Sequence, residues 1–107
     1  RVFIFANNGE PEVFISSADF MTRNLDGRVE VTCPIYDEDI KKELIDTFDV
    51  GWKGNVKARY HSEKFDNKYR VRGQDPIFRA QLETYNYYKN RLENSKEEPQ
   101  IIKAEND

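Results

Sequence analysis

Two short apolar runs near the start of the chain predict the first two strands of a sheet. Residues 2–6 and 13–15 contain no polar side chain, a pattern typical of strands buried on both faces. The residues between them read NNGEPE, which is turn chemistry. The sequence therefore predicts an antiparallel hairpin.

A third strand is predicted by alternation of polar and apolar side chains. Residues 28–33 read RVEVTC, with the period of two that a half-exposed strand shows. The polar face of this strand would carry Arg28 and Glu30. Pro34 is expected to end it.

Helical periodicity follows over residues 37–48. Apolar side chains recur there every four residues, and the acidic residues of the first turn suit the positive N-terminal end of a helix. Gly51 and Gly54 are expected to close this helix.

The next part of the chain combines alternation with basic charge. Residues 55–61 alternate apolar side chains with Lys57, Arg59 and His61, and predict a half-exposed strand with one basic face. Residues 62–74 predict a loop or a short hairpin.

A second helix is predicted to start at Asp75, because an N-cap residue is followed by proline at the first helical position. Its apolar face runs to residue 92 and places Tyr85 and Tyr88 in the core. Residues 93–107 have no amphipathic period and predict a polar tail.

The order of these elements predicts an α/β (α+β) fold with a mixed β-sheet and flanking helices. The length of 107 residues is enough for one core. We therefore expect one domain over residues 1–92, followed by a tail over residues 93–107. The chain also begins on an apolar strand, so we expect it to be a fragment of a longer protein.

Charge is unevenly distributed, although the net charge is only −3. Residues 53–79 hold eight lysines and arginines against three acidic residues, an excess that would attract a polyanion. One cysteine and one histidine exclude an internal disulfide and a structural zinc site. The lone thiol favours a reducing compartment, so we expect a cytoplasmic protein and leave membrane association open.

Side chains that bind phosphoryl groups are concentrated in residues 15–31, ISSADFMTRNLDGRVEV. Serine, asparagine and arginine are usual phosphate ligands, and the planar arginine fork can bond two oxygens at once. Glu30 would fix the guanidinium of Arg28 in one orientation. The structural alternative also stands: the serines cap a helical turn, and Arg28 and Glu30 form a surface pair that contributes well under about 1 kcal/mol.

Three segments carry a resemblance to a known family. NGEPEVFISSADFMTRNLDGRVEV, NVKARY and FRAQLETYNYY resemble the C-terminal domain of bacterial polyphosphate kinase, the family that builds inorganic polyphosphate from ATP. The resemblance runs from Arg1 to about Arg91. It implies part of a phospholipase D-like lobe, in which residues 16–19 are similar to a Gly-Ser-x-Asn segment with Asp19 in place of asparagine. Phe20 stands where the family commonly has tryptophan.

The resemblance implies a phosphotransferase that moves the terminal phosphate of ATP reversibly to polyphosphate through a phosphohistidine. The family's phosphorylated histidine lies in a preceding lobe and its second active-site histidine lies upstream of Arg1. No catalytic residue is therefore expected in this chain, which alone should be inactive, and His61 is expected to be a bystander. The resemblance further implies Mg²⁺ in the full-length enzyme, with no ligands identified here, ATP or ADP and polyphosphate as partners, and a homo-oligomer.

The resemblance also assigns roles within the phosphate site. Arg28 would contact the transferring phosphate and Glu30 would orient Arg28. Ser17 and Asp19 would shape the pocket, and two neighbours would support it, Arg23 and Asn24. A path for polyphosphate would be lined by Lys57, Arg59, Arg70 and Arg72, which equally suit a solvated face.

Two other functions remain open from the sequence. A lobe of a phospholipase D-like nuclease or lipase would reuse residues 16–19, but it would need a His-x-Lys motif that this chain lacks. A non-catalytic polyanion-binding module would need only the basic stretch. No nucleic acid partner is expected.

Overall fold

The computed structural model of the protein describes residues 1–97. It divides into two compact units, of which the first is Arg1–Asp49 and the second begins at Val50. Each unit is described by itself. Within residues 1–97, no helix has the length and apolar character needed to cross a bilayer.

The first unit contains a three-stranded sheet. Strands β1 (Val2–Phe5), β2 (Glu12–Ser16) and β3 (Thr32–Ile35) follow one another in chain order across the sheet. Both pairings are antiparallel. The α+β class is confirmed, and the sheet is antiparallel where a mixed sheet was expected.

The predicted hairpin between β1 and β2 is confirmed. Its connection contains a 3₁₀ turn at Asn7–Gly9, where Asn7, Asn8 and Gly9 have φ values of 43°, 54° and 95°. Asparagine and glycine tolerate this left-handed region better than other residues. The turn chemistry of the sequence therefore matches the backbone it forms.

The third strand begins later than predicted. Residues 28–31 lie outside the sheet, so the prediction of a strand face shared by Arg28 and Glu30 is wrong. The ladder ends where Ser16 faces Thr32, because the next amide, that of Val31, donates to a side-chain oxygen, Ser17 Oγ, at 3.1 Å. Pro34 was expected to end the strand and lies inside it, which an edge strand allows.

A single-turn helix, α1 (Thr22–Leu25), lies between β2 and β3. The first long helix, α2 (Glu38–Lys53), is confirmed and extends beyond its predicted end. Asp37 caps it, since its Oδ1 accepts the amides of Asp39 and Ile40, each at 3.0 Å. Gly51 lies within the helix and Gly54 follows it.

The strand predicted over residues 55–61 is reduced to one isolated bridge between Arg59 and Tyr69. The flanking main-chain bonds join Tyr60 to Lys68 and Arg70 to Ala58. This part of the second unit is therefore a short hairpin-like pairing without a regular strand.

The second long helix, α3 (Ala80–Glu97), begins five residues after the predicted start at Asp75. The cause is the side chain of Asn55, which donates to the carbonyl of Pro76 and accepts the amide of Phe78, both at 2.8 Å. These bonds hold residues 76–78 against residue 55, away from helical geometry. At its other end α3 includes the first part of the predicted tail, and residues 98–107 lie outside the described residues.

Little of the apolar surface is enclosed. Within residues 1–97 the buried hydrophobic side chains are Val13 and Ala18. Tyr85 and Tyr88, predicted to be core, are 64% and 43% exposed, because the described part of the second unit contains no strand against which the apolar face of α3 could pack.

Gly54 and Gly51 offer a matched test of the packing in the second unit. A Cβ at Gly54 would lie 3.2 Å from Ala80 Cβ and 3.2 Å from the carbonyl oxygen of Gly51, whereas a Cβ at Gly51 would meet nothing within 4 Å. We expect Gly54→Ala to loosen the first turn of α3. Gly51→Ala should stabilise α2 by up to about 1 kcal/mol, since alanine favours a helix.

Amide hydrogen exchange of the full-length protein checks both changes. The expected result is faster exchange at the start of α3 in Gly54→Ala and slower exchange in α2 in Gly51→Ala. Equal behaviour of the two variants would contradict the contact between Gly54 and Ala80.

Candidate functional site

The site is built on the segment that leaves strand β2. Ser16 Oγ bonds Thr32 Oγ1 across the sheet at 2.9 Å and accepts the amide of Ala18 at 3.1 Å. Ala18 is buried, and its neighbour Ser17 is exposed. The sheet therefore fixes the backbone from which Ser17 and Asp19 project.

Arg1 clamps this segment to the start of β1. Its Nε and Nη2 donate to the two carboxylate oxygens of Asp19 at 2.5 and 2.7 Å, and its Nη1 donates to the carbonyl of Ser17 at 2.6 Å. This is the two-point pairing that suits a planar guanidinium. The hydrogen bonds and charge of Asp19 raise the pKa of Arg1, and those of Arg1 lower the pKa of Asp19.

Glu30 is held by two neutral donors. Ser17 Oγ donates to its Oε2, and Asn24 Nδ2 donates to its Oε1 at 2.8 Å. These two hydrogen bonds are the main cause that lowers the pKa of Glu30, and the charges of Arg28 and Arg1 add to them. The carboxylate is thus kept ionised and fixed at both oxygens.

Asn24 is the buried member of the site. It lies on the single-turn helix α1 (Thr22–Leu25) and is 3% exposed. Its Oδ1 has no hydrogen-bond donor within the described residues. A buried acceptor without a donor costs about 1–3 kcal/mol, so stability alone does not account for an asparagine at this position.

Two further arginines act on the site through space. Arg28 is exposed, and its charge acts on Glu30, while the charge of Arg23 acts on Asp19. Counting Arg1, three arginines face two carboxylates. The site therefore has an excess of positive charge, which suits an anionic ligand.

The structure thus brings together by direct hydrogen bonds Ser17, Asp19, Asn24 and Glu30, and adds Arg1, which sequence reasoning missed. The predicted hairpin of β1 and β2 already indicated where Arg1 lies. Because Val2 pairs with Ile15, the residue before Val2 must lie beside the end of β2, where Ser17 and Asp19 follow.

Three of the four residues assigned to a polyphosphate path brace the backbone of the second unit. Arg59 donates to the carbonyl of Asn67 at 2.5 Å, Arg70 donates to the carbonyl of Trp52 at 3.0 Å, and Arg72 donates to the carbonyl of Asp75 at 2.6 Å. Lys57 is exposed. The path stays a prediction, since each guanidinium keeps further donors.

The residues of the site do not fit Mg²⁺. Within the described part of the chain no three His, Cys, Asp or Glu side chains form a cluster that could hold a metal ion. Both oxygens of Asp19 are bonded to Arg1, and both oxygens of Glu30 are bonded to Ser17 and Asn24. Neither carboxylate presents a free pair of oxygens to a cation.

The lowered pKa values of Asp19 and Glu30 predict how acid acts on this unit. A carboxylate whose pKa is lowered by folding stabilises the fold above its ordinary pKa of about 4, and this contribution is lost as the pH falls through the lowered value. The Asp19→Asn variant has no carboxylate at this position that acid could protonate. We expect the variant to melt below the wild type at pH 7, and the gap to narrow as the pH falls below about 4.

Thermal melts of both proteins at matched ionic strength measure this gap. A gap that stays constant through the acid range would show that the ion pair of Arg1 and Asp19 does not contribute to stability.

Comparison with known proteins places this chain in a family. The family model described as polyphosphate kinase C-terminal domain 2 matches residues 1–81. Polyphosphate kinase of Escherichia coli (strain K12) is 45% identical over 89 residues, which are 83% of this chain and 13% of that protein. The polyphosphate kinase of Klebsiella pneumoniae is 42% identical over 89 residues, with the same shares of the two chains.

A solved structure has the same fold. The crystal structure of polyphosphate kinase from Porphyromonas gingivalis superposes with a TM-score of 0.84 at 38% identity, over 88% of this chain and 14% of that one. The chain thus spans about an eighth of the relatives' length. It belongs to the polyphosphate kinase family, as part of the family's C-terminal domain 2.

Proposed function

We propose that the full-length protein is a polyphosphate kinase that transfers the terminal phosphate of ATP reversibly to inorganic polyphosphate. The observation that carries the proposal is the 45% identity, over 83% of this chain, to a protein named polyphosphate kinase. The phosphohistidine of the reaction would lie outside this chain. ATP, ADP and polyphosphate would be the partners, in a cytoplasmic homo-oligomer that uses Mg²⁺ bound outside residues 1–97, with or without membrane association.

Within this scheme Arg28 is the residue that contacts the transferring phosphate. Its guanidinium is exposed beside Glu30 and has no hydrogen bond within residues 1–97 that would occupy its fork. Phosphoryl transfer relies on positioning and on stabilisation of charge that develops in the transition state. A planar cation with free donors supplies both.

The other site residues form a hydrogen-bonded framework next to this cation. Ser17 and Asp19 shape the pocket, because Arg1 fixes both of them to the start of β1. Asn24 holds the carboxylate beside Arg28, and Arg23 adds positive charge near Asp19. Glu30 acts on Arg28 by charge, without the direct bond that the sequence suggested.

Arg28→Lys in the full-length protein tests the proposal. We expect a loss of roughly 10²-fold in the rate of polyphosphate synthesis, or about 3 kcal/mol, since an ammonium group cannot form a two-point contact with phosphate oxygens. The measurement is the initial rate with ATP and magnesium, beside a thermal melt of the same variant.

Arg79→Lys is the matched control, because Arg79 is an exposed arginine outside the site, and its rate should equal that of the parent. If the Arg28→Lys protein melts like the parent and keeps at least half the parent's rate, Arg28 does not contact the transferring phosphate. Equal salt-dependent binding of polyphosphate and DNA, with no synthesis by the parent, would favour a polyanion-binding module instead.

A further inference from the structure

Glu30 and Arg28 would normally be expected to pair directly. They have opposite charges, are two residues apart in one loop, and are near enough for the charge of Arg28 to lower the pKa of Glu30. A carboxylate and a guanidinium in this situation commonly form a two-point contact. Both oxygens of Glu30 are instead bonded to neutral donors, Ser17 and Asn24.

Neither of these donors is free to turn away. Ser17 Oγ accepts the amide of Val31 at 3.1 Å, and its single proton goes to Glu30. Asn24 is enclosed on α1, and its main-chain amide is bonded to Met21 at 2.9 Å. The direction of the Glu30 carboxylate is therefore set by the end of β2 and by α1.

We propose that Asn24 and Ser17 are positioning residues that hold Glu30 away from Arg28, so that the fork of Arg28 stays available to a phosphoryl group. The inference rests on the proposed function, because it concerns the arginine that the proposal assigns to phosphate. Neutral donors suit this task, since they bind the carboxylate without cancelling its charge. Glu30 can then attract Arg28 to the site without occupying its donors.

The buried asparagine is consistent with this role. Its Oδ1 lacks a donor within residues 1–97, so the bond from its Nδ2 to Glu30 is the hydrogen bond that this side chain makes among the described residues. When this bond is removed, the carboxylate can rotate onto Arg28. The two charges would then satisfy each other, and an added phosphate would have to displace Glu30.

The experiment measures the affinity of the full-length protein for inorganic tripolyphosphate by calorimetry at fixed ionic strength. We expect Asn24→Leu, which keeps the branched shape of the side chain, and Ser17→Ala each to weaken binding by about tenfold, the scale of one hydrogen bond to a charged group. Adding Glu30→Gln to either variant should restore most of that affinity, because the competitor for Arg28 has lost its charge.

Asp26→Asn is the control for loss of negative charge alone. Asp26 is an exposed carboxylate close in sequence that forms no hydrogen bond to the site. In the Asn24→Leu protein, Asp26→Asn should recover much less affinity than Glu30→Gln. Equal recovery by the two changes, or no recovery by Glu30→Gln, would overturn the positioning role.

Arg28→Lys separates failure of this inference from failure of the proposed function. If Arg28→Lys binds tripolyphosphate as tightly as the parent, the assignment of Arg28 to phosphate is wrong. If it binds more weakly and Glu30→Gln gives no rescue, the phosphate site stands and the positioning role does not. Circular dichroism melts identify a variant that does not fold. If Asn24→Leu does not fold, the positioning role is decided by comparing Ser17→Ala with the double variant Ser17→Ala and Glu30→Gln, since Ser17 is exposed.

Discussion

The carboxylate of Glu30 joins three segments of the first unit. Through Ser17 it is tied to the end of β2, through Asn24 to α1, and along the chain it leads into β3. A charge of this kind needs hydrogen bonds when it leaves bulk water, and the two donors each bond one oxygen of the carboxylate. The loop of residues 17–31 keeps its shape because this requirement is met in one geometry.

The predictions from the sequence that were correct rest on short stretches of the chain. The hairpin of β1 and β2 and the helix predicted from residue 37 depend on local chemistry that a linear pattern contains. Ser17, Asn24 and Glu30 were expected in one site, and the structure joins them by hydrogen bonds. The contacts themselves were not predicted, since they depend on where the chain leaves the sheet.

Two of the errors, the start of β3 and the start of α3, have a common physical origin. At Val31 and at Pro76 a side chain replaces the main-chain partner that the pattern implied, Ser17 Oγ in the first case and Asn55 in the second. Such bonds reach over 14 and 21 positions, so no window of local periodicity contains them. The role of Arg1 was not predicted for a related reason, because its partners Ser17 and Asp19 come after the second strand of the hairpin.

Pro34 has a consequence for how the sheet can grow. In the pairing of β2 and β3, Ile15 faces Cys33, and the amide of Ser17 donates to the carbonyl of Val31, so the amides of the alternate residues of β3 point away from β2. Pro34 is one of these alternate residues, and proline has no amide hydrogen to donate. The outer side of β3 is therefore a poor template for another strand, which protects this edge from self-association. A polypeptide that extended the sheet by strand addition would have to join at β1.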